Sequence, residues 1–293
     1  MQERHCRRTT GTAPTRDGRA LFYTEFAPPT GDGPATVVLE SGLAASRSYW
    51  ALVQQAVAAS ARVVAYDRSG LGRSAPDPRP RRLQRLADDL GDLLDHLGAG
   101  PFVLVGHSWG GLVVRLAAAR RPERTAGLVL LDPTDESCDL LLDPSMRRLE
   151  KAGAVAGRVL ARTGLLPLLF RKVTTALPPQ AAAEMRAEAF TVGAMRTHRA
   201  EQASVGADLR ALRDNPPELG GIPVTVVSAT RRTPGMSARA REAINAAHAY
   251  RARQSPAGRH VLAPRADHIV PVTDPATVVT EIERLLGPVP DTP

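Results

Sequence analysis

The 293-residue chain contains little cysteine, few aromatic residues and almost no lysine. The chain has two cysteines, Cys6 and Cys138, which are too few for a disulfide framework. Neither has the sequence spacing of a metal ligand, and we expect neither a metal nor a cofactor. Aromatic residues make up 4%, which leaves few stacking platforms for nucleic-acid bases, and arginines are spread along the chain. The net charge of +8 therefore does not indicate a nucleic-acid partner. The same charge is compatible with an acidic substrate or an acidic partner protein.

Long apolar runs are also missing. The longest apolar stretch, residues 165–170, is far too short to span a bilayer and contains Pro167. Residues 1–11 are polar and arginine-rich, without the apolar segment of a signal peptide. Because 43% of the residues are hydrophobic, a substantial core can still form. We expect a cytoplasmic protein with no membrane span, and no pattern specifies its oligomeric state.

What the chain does contain is an alternation of apolar strands and amphipathic helices. An Asp-Gly turn at 17–18 predicts a hairpin, and apolar segments then predict strands at 35–40, 62–66, 102–105, 125–131, 223–229 and 259–263. Helices are predicted at 50–60, 82–97, 112–120, 236–254 and 273–286. Since such an alternation buries a sheet between two helical layers, the predicted fold class is α/β with a mostly parallel, doubly wound sheet.

Strand-like sequence is absent between residues 133 and 220. This stretch has a helical composition broken by proline and glycine, which predicts a helical cap inserted after the sixth strand. The core is then predicted over 9–132 and 221–287, with a disordered arm over 1–8 and a tail over 288–293. Twelve basic and eleven acidic residues nearly cancel within the cap, which does not indicate a carboxylate or phosphate clamp.

The most informative motif is Gly-His-Ser-Trp-Gly-Gly at residues 106–111, between a predicted strand and a predicted helix. A G-x-S-x-G pattern in this context is typical of a nucleophile elbow, a strained turn that lifts the serine hydroxyl above the sheet edge. Gly106 and Gly110 leave the space that such a turn needs. The motif predicts Ser108 as a nucleophile; the alternative is a glycine-rich connection whose serine caps the helix.

A serine hydroxyl is a poor nucleophile unless a base removes its proton. Of seven histidines, only His268 lies in a loop after a late predicted strand, so it is the predicted base. The loop at 228–234 contains no acid to orient it. The predicted acid is therefore Asp132, at the carboxyl end of the preceding strand, with Asp135 or Glu136 as the main alternatives. Two others stay open: Asp267, which is close in sequence to the ring that it would orient, and no acid at all.

Further candidates would stabilise an oxyanion or contact the substrate. The backbone N–H groups of Trp109 and Leu43 are the predicted oxyanion donors, because one follows the nucleophile and the other lies in a glycine turn after an early strand. An apolar patch in the cap is expected to pack against the core, or alternatively to line an acyl pocket: Leu165, Leu168, Leu169 and Phe170.

Over about residues 15–287 these motifs resemble the α/β-hydrolase fold superfamily, in particular its cap-bearing serine hydrolases of esterase and lipase type. The resemblance rests on the elbow at 106–111, on Tyr-Asp-Arg-Ser-Gly-Leu-Gly-Arg-Ser at 66–74 and on the pair Asp267-His268. Members commonly carry His-Gly at the oxyanion loop, where this chain has Glu-Ser-Gly at 40–42. Some lipases of the superfamily carry the acid one strand early in a Leu-Asp-Pro context, which supports Asp132.

The resemblance implies hydrolysis of an ester, lactone or thioester of a small to medium apolar substrate through an acyl-enzyme. Superfamily members that use an aspartate nucleophile, such as epoxide hydrolases, are disfavoured because the elbow carries serine. Since this fold hosts many chemistries, two alternatives remain: an acyltransferase or other non-hydrolytic enzyme, and a binding protein on a degenerate hydrolase fold.

Overall fold

A computed structural model describes residues 6–28, 31 and 33–287. It contains a single eight-stranded sheet made of β1 (Arg7–Pro14), β2 (Ala20–Ala27), β3 (Thr36–Glu40), β4 (Val63–Tyr66), β5 (Phe102–His107), β6 (Thr125–Leu131), β7 (Val224–Ala229) and β8 (Gly258–Ala263). The strand order is β1-β2-β4-β3-β5-β6-β7-β8. β2 pairs antiparallel with both β1 and β4. The five remaining pairings, from β4 across the sheet to β8, are parallel. The predicted mostly parallel sheet is confirmed.

Helices cover the sheet and fill the long connection between β6 and β7. They are α1 (Ala51–Val57), α2 (Leu83–Leu97), α3 (Gly110–Arg120), α4 (Pro144–Arg162), α5 (Leu166–Leu169), α6 (Arg171–Ala176), α7 (Pro179–Glu188), α8 (Val192–Gln202), α9 (Val205–Asp214), α10 (Ala238–Arg253), α11 (Val270–Thr273) and α12 (Pro275–Leu286). We call α4–α9 the helical insert, since it follows the sixth strand as predicted. Within the part of the chain that the structure describes, no helix is both long and apolar enough to cross a bilayer.

The sheet divides the core into two layers because successive residues of a strand point to opposite faces. In β3, Val37 and Leu39 pack with α1 and α12 on one face, whereas Val38 packs with α2 and α3 on the other. The leucines that predicted α2 are all buried on that second face. The parallel strands are buried on both faces, which explains their continuous apolar sequence.

The predicted chain termini differ in part from the structure. The strand β1 begins at Arg7, so the last two residues of the predicted arm belong to the hairpin with β2. This pairing gives their backbone groups hydrogen-bond partners, which a free arm would lack. Residues 1–5 of the arm and the tail over 288–293 lie outside the described residues.

Candidate active site

The turn between β5 and α3 places Ser108 at the carboxyl edge of the sheet. Its N–H donates to the Leu131 carbonyl and its own carbonyl accepts from the Thr134 N–H, each at 3.0 Å, so the turn is fixed to the end of β6. A Cβ on Gly106 would lie 2.6 Å from the Gly110 carbonyl oxygen, a distance that no larger residue could tolerate. This close approach is the physical reason for a glycine before the serine.

Backbone strain is concentrated at this site. Among the described residues, three other than glycine have a positive φ: Ala44 at 60°, Ser108 at 52° and Asp132 at 39°. They follow β3, β5 and β6 respectively, at the same edge of the sheet. Residues held in this region cost about 1–3 kcal/mol each and cluster at functional sites.

Ser108, His268 and Asp132 form a continuous chain of hydrogen bonds. The Ser108 Oγ lies 3.1 Å from His268 Nε2, and His268 Nδ1 lies 2.7 Å from Asp132 Oδ2. Because a carboxylate only accepts, Nδ1 carries the ring hydrogen and Nε2 is left to accept from the serine hydroxyl. The structure therefore brings together the three residues predicted as nucleophile, base and acid, in the geometry that proton transfer requires.

The Asp132 carboxylate is buried and fully paired. Arg241 of α10 donates to both of its oxygens, at 2.6 and 3.1 Å, and the Ala229 N–H donates to Oδ1 at 3.1 Å. Burial alone would raise the pKa of Asp132, but the hydrogen bond from His268, together with the paired Arg241, holds that pKa well below its usual range. The carboxylate is thus charged and fixed in orientation beside the imidazole.

The other carboxylates near the base have different partners. Asp135 pairs with Arg251, and Glu136 pairs with both Arg251 and Arg115, all at 2.6–2.8 Å between the closest atoms. Neither donates to or accepts from His268. Of the acids weighed from the sequence, only Asp132 contacts the imidazole.

Two backbone N–H groups are available beside Ser108. A Cβ on Gly42 would lie 3.2 Å from the Ser108 Cβ, so the loop after β3 passes directly against the serine. The N–H groups of Leu43 and Trp109 donate to no acceptor within the described residues. Trp109 also stands at the amino end of α3, where the helix dipole favours negative charge. These are the properties that an oxyanion-binding pair needs.

The loop after β3 is held by a buried arginine. Arg68 donates to the carbonyl oxygens of Ser41 and Gly42, both at 2.6 Å, while its charge is balanced by Glu40 at 2.6 Å and by Glu201 at 2.9 Å. Because Glu201 belongs to α8, the helical insert is connected through Arg68 to the loop that carries the Leu43 N–H. The carbonyl contacts fix the direction of the peptide groups in that loop.

His107, beside the nucleophile, connects the two halves of the site. Burial, followed by the charge of His268, lowers the pKa of His107 to about 3, so its ring is neutral near pH 7. Its Nε2 lies 2.7 Å from the main-chain oxygen of His268 and donates to it. This bond holds the loop that carries the base against β5.

The apolar patch of the cap lies on the surface. The exposed fractions are 48% for Leu165, 65% for Leu168, 67% for Leu169 and 40% for Phe170, so the expectation that this patch packs the cap onto the core is wrong. Their neighbours Leu166 and Val173 are buried, and Val173 packs into the core on the α1 and α12 side of the sheet. The short helices present one apolar side to the core and leave a second apolar side exposed, which a one-dimensional pattern does not distinguish.

Two residues of the site were not anticipated from the sequence. Arg241 and Arg68 are two of many arginines, and each makes its contacts across more than twenty residues of chain. The only sequence signal for Arg241 is indirect. The loop after β7 has no acid, and the next helix, α10, provides the cation that pairs with Asp132 at the end of β6. Among the described residues, no cluster of His, Cys, Asp or Glu could hold a metal ion.

Comparisons with known proteins agree with the architecture. A family model described as the α/β hydrolase fold matches residues 35–167. The chain is 36% identical over 128 residues to "Putative carbamate hydrolase RutD" of Rhizobium rhizogenes, which covers 41% of this chain and 48% of that protein. It is 37% identical over 134 residues to "Lipase LipV" of Mycobacterium tuberculosis, which covers 41% of this chain and 51% of that protein. The chain thus spans about half the length of the curated relatives it matches.

Solved structures resemble nearly the whole chain. The epoxide hydrolase CorEH, solved without ligand, aligns with a TM-score of 0.72 and 20% identity over 96% of this chain and 99% of that chain. At this identity the likeness concerns the fold alone.

Proposed function

We propose that this chain, of which residues 35–167 match a family model described as the α/β hydrolase fold, is a serine hydrolase that cleaves an ester, lactone or thioester of a small to medium apolar substrate. The observation that carries the proposal is the hydrogen-bond chain from Asp132 through His268 to Ser108. Function on this fold must be argued from the site, since the fold hosts many reactions. The residues of that chain are the types that acyl transfer through a serine requires.

In the first half of the proposed reaction, Ser108 Oγ attacks the carbonyl carbon while its proton passes to His268 Nε2. Asp132 stabilises the imidazolium that forms, and the N–H groups of Leu43 and Trp109 donate to the oxyanion. His268 then gives its proton to the leaving oxygen or sulfur as the bond to the acyl carbon breaks. An acyl-Ser108 ester and a free alcohol or thiol result.

In the second half, His268 takes a proton from water, and the hydroxide oxygen attacks the acyl carbon. The oxyanion again accepts from Leu43 and Trp109. When the bond to Ser108 Oγ breaks, His268 returns the proton to the serine and the carboxylic acid leaves. The His268 side chain is 38% exposed, which leaves water access to its Nε2 for this step.

A carbamate is the second substrate class to consider, because the 36% identical relative is named for carbamate hydrolysis. A carbamate carbonyl would pass through the same tetrahedral species at Ser108. The two classes differ in the leaving group and in the electron density at the carbonyl carbon. An epoxide does not fit equally well, since the nucleophile is a hydroxyl with a paired base rather than a carboxylate.

The direct test is labelling with a fluorophosphonate probe, followed by mapping of the adduct by mass spectrometry. We expect the adduct on Ser108, and we expect its loss in Ser108→Ala and in His268→Ala. Matched controls are Ser145→Ala, on the exposed start of α4, and His96→Ala, which contacts only Tyr23. Both controls should label at the wild-type rate.

Substrate class is then tested with p-nitrophenyl esters of increasing acyl length and with matched p-nitrophenyl carbamates. Turnover of the esters that is lost in Ser108→Ala supports the proposal, whereas turnover of carbamates alone replaces it with the second class. Absence of labelling in folded protein would contradict both. Labelling without hydrolysis, but with acyl transfer to an added alcohol, would identify an acyltransferase.

A further inference from the structure

One surface of the helical insert combines exposed apolar side chains with positive charge. Of the nine large hydrophobic side chains that are exposed in the described part of the chain, seven lie between residues 149 and 170. The two others, Tyr250 and Leu262, stand far away in sequence on α10 and β8. Contiguous exposed apolar surface on a folded protein marks a contact with a partner or a membrane.

The arrangement on α4 is regular. Arg148, Lys151, Val155, Val159 and Arg162 are all exposed and are spaced three or four residues apart. At that spacing they lie along one side of the helix. The side of α4 that faces away from the protein is therefore a stripe of valine flanked by cations.

The stripe continues into the next two short helices. Leu168 and Leu169 of α5 are 65% and 67% exposed, and the exposed Arg171 and Lys172 follow them at the start of α6. We refer to the exposed side chains of residues 148–172 as the basic apolar face. It is a surface without a counterpart elsewhere in the described residues.

Charge within the insert is strongly segregated. Residues 144–172 contain seven basic residues and a single acidic one, Glu150, which pairs with Arg147. Charge nearly cancels over residues 133–220 because the other ten acidic residues lie outside this segment: four precede α4, and six follow residue 172 together with five basic residues. The basic apolar face therefore has a net positive charge with no carboxylate to neutralise its exposed cations.

The residue types indicate a lipid surface rather than a protein. The chain has two lysines, Lys151 and Lys172, and both lie on this face. Lysine is depleted at the centre of protein interfaces, where its hydrated ammonium must be desolvated. At a membrane surface, in contrast, lysine and arginine reach the headgroups while apolar side chains enter the boundary with the acyl chains.

We propose that the basic apolar face binds peripherally to a bilayer surface that contains anionic lipid. The leucines and valines enter the headgroup region, and the flanking cations contact phosphate and carboxylate groups of the lipid. Binding of this kind lies beyond the proposed hydrolysis, and it does not depend on Ser108 being a nucleophile.

The test is co-sedimentation of the whole protein with vesicles of phosphatidylcholine alone or of equal parts phosphatidylcholine and phosphatidylserine. We expect binding to the mixed vesicles, much weaker binding to the neutral ones, and weakening by added salt. Each basic residue near an anionic surface strengthens binding about fivefold, so Lys151→Gln with Lys172→Gln should weaken it by roughly 25-fold. Leu168→Ser with Leu169→Ser should weaken it at least about tenfold, because the apolar contribution is lost.

Matched controls alter equally exposed residues outside this face: Leu262→Ser, and Arg232→Gln with Arg239→Gln. These should bind as the wild type does. All changes are at exposed positions, and circular dichroism verifies the fold of each variant.

Three outcomes would overturn the proposal. The first is a wild-type protein that binds neither kind of vesicle. The second is binding that the serine pair leaves unchanged, which would reduce the contact to electrostatic adhesion. The third is a dimer in sedimentation velocity that the serine pair dissociates, which would identify the face as a contact between copies of the chain.

Discussion

On one side of Ser108, Arg241 pairs with the carboxylate of Asp132; on the other, Arg68 donates to the carbonyl oxygens of Ser41 and Gly42. Both arginines are buried, and both contact a residue beside the nucleophile rather than the nucleophile itself. Arg241 balances a charge that the proposed proton transfer uses. Arg68 orients neutral peptide groups, and its own charge is balanced by two glutamates.

The difference predicts two separable kinds of effect. Changes on the Arg241 side should alter how the rate depends on pH, since they change the field at a titrating pair. Changes on the Arg68 side should lower the rate equally at all pH values, since they displace a hydrogen-bond donor from the oxyanion.

The largest effect is expected from Asp132→Asn compared with Asp135→Asn. Both aspartates are buried and both pair with an arginine of α10, but only Asp132 contacts His268. Asparagine at 132 favours the wrong imidazole tautomer, and we expect kcat to fall about 10⁴-fold. Asp135→Asn should change kcat by less than about tenfold. Steady-state kinetics on the best ester measure both, and the reverse ranking would remove Asp132 from the mechanism.

A smaller loss is expected from Arg68→Lys. Lysine keeps a cation between Glu40 and Glu201 but cannot donate to two carbonyl groups in the arginine geometry. We expect kcat to fall roughly 10- to 100-fold, with KM and the pH profile unchanged.

The control for Arg68→Lys is Arg81→Lys. Arg81 also pairs with Glu201 but contacts neither Ser41 nor Gly42. A comparable loss in Arg81→Lys would mean that the effect arises from the ion pairs rather than from the loop.

Arg241→Gln should lower kcat only several-fold. It should also shift the pH below which kcat/KM falls. Arg241 is one of the partners that hold the pKa of Asp132 below its usual range, so without the arginine that pKa should rise and activity should be lost at a higher pH than in the wild type. The other titratable groups that face this pair are His248 from α10, His107 from β5, Asp267 beside His268, and the buried Tyr49. None of them is changed by the substitution.

Arg251→Gln is the matched control on the same helix, because Arg251 pairs with Asp135 and Glu136. In Arg251→Gln, the pH below which kcat/KM falls should be the same as in the wild type. If the acidic side of the profile also stays in place in Arg241→Gln, the arginine does not control the charge of Asp132.

The smallest effect concerns stability and the residue between the two sides. His107 is neutral in the folded protein down to pH about 3, whereas in the unfolded chain it takes up a proton below about 6.5. Stability must therefore fall as the pH falls through this window, by at most about 1.4 kcal/mol per pH unit from this group. In His107→Gln, urea unfolding from pH 7 to 4 should give a shallower dependence, while the exposed control His96→Gln should follow the wild type.

Much of the architecture could be predicted because its signals are local. The parallel strands are buried on both faces, so their sequences are continuous apolar runs. The helix α2 has leucines at the spacing of one helix face. Ser108 is predictable from its G-x-S-x-G motif. His268 and Asp132 are predictable because each follows a predicted parallel strand at its carboxyl end, where such strands bring their loops together. The lack of an acid at 228–234 then favoured the end of β6.

The remainder depends on direction and distance, which a linear pattern does not contain. Asp132 and Asp135 lie three residues apart, and the backbone twist at Asp132 turns one toward His268 and leaves the other toward Arg251. Arg241 stands more than a hundred residues from the acid it balances. Net charge summed over residues 133–220 conceals that seven of the twelve basic residues, but only one of the eleven acidic residues, lie between 144 and 172.

The placement of both lysines on one face of the insert has a practical consequence. Apart from an α-amino group, amine-reactive reagents modify only these two side chains, which stand on α4 and at the start of α6. Coupling to an amine-reactive support through Lys151 or Lys172 would therefore attach the molecule by that face and leave Ser108, at the carboxyl edge of the sheet, untouched by the chemistry. Because both lysines stand on the same face, either one orients the molecule in the same way.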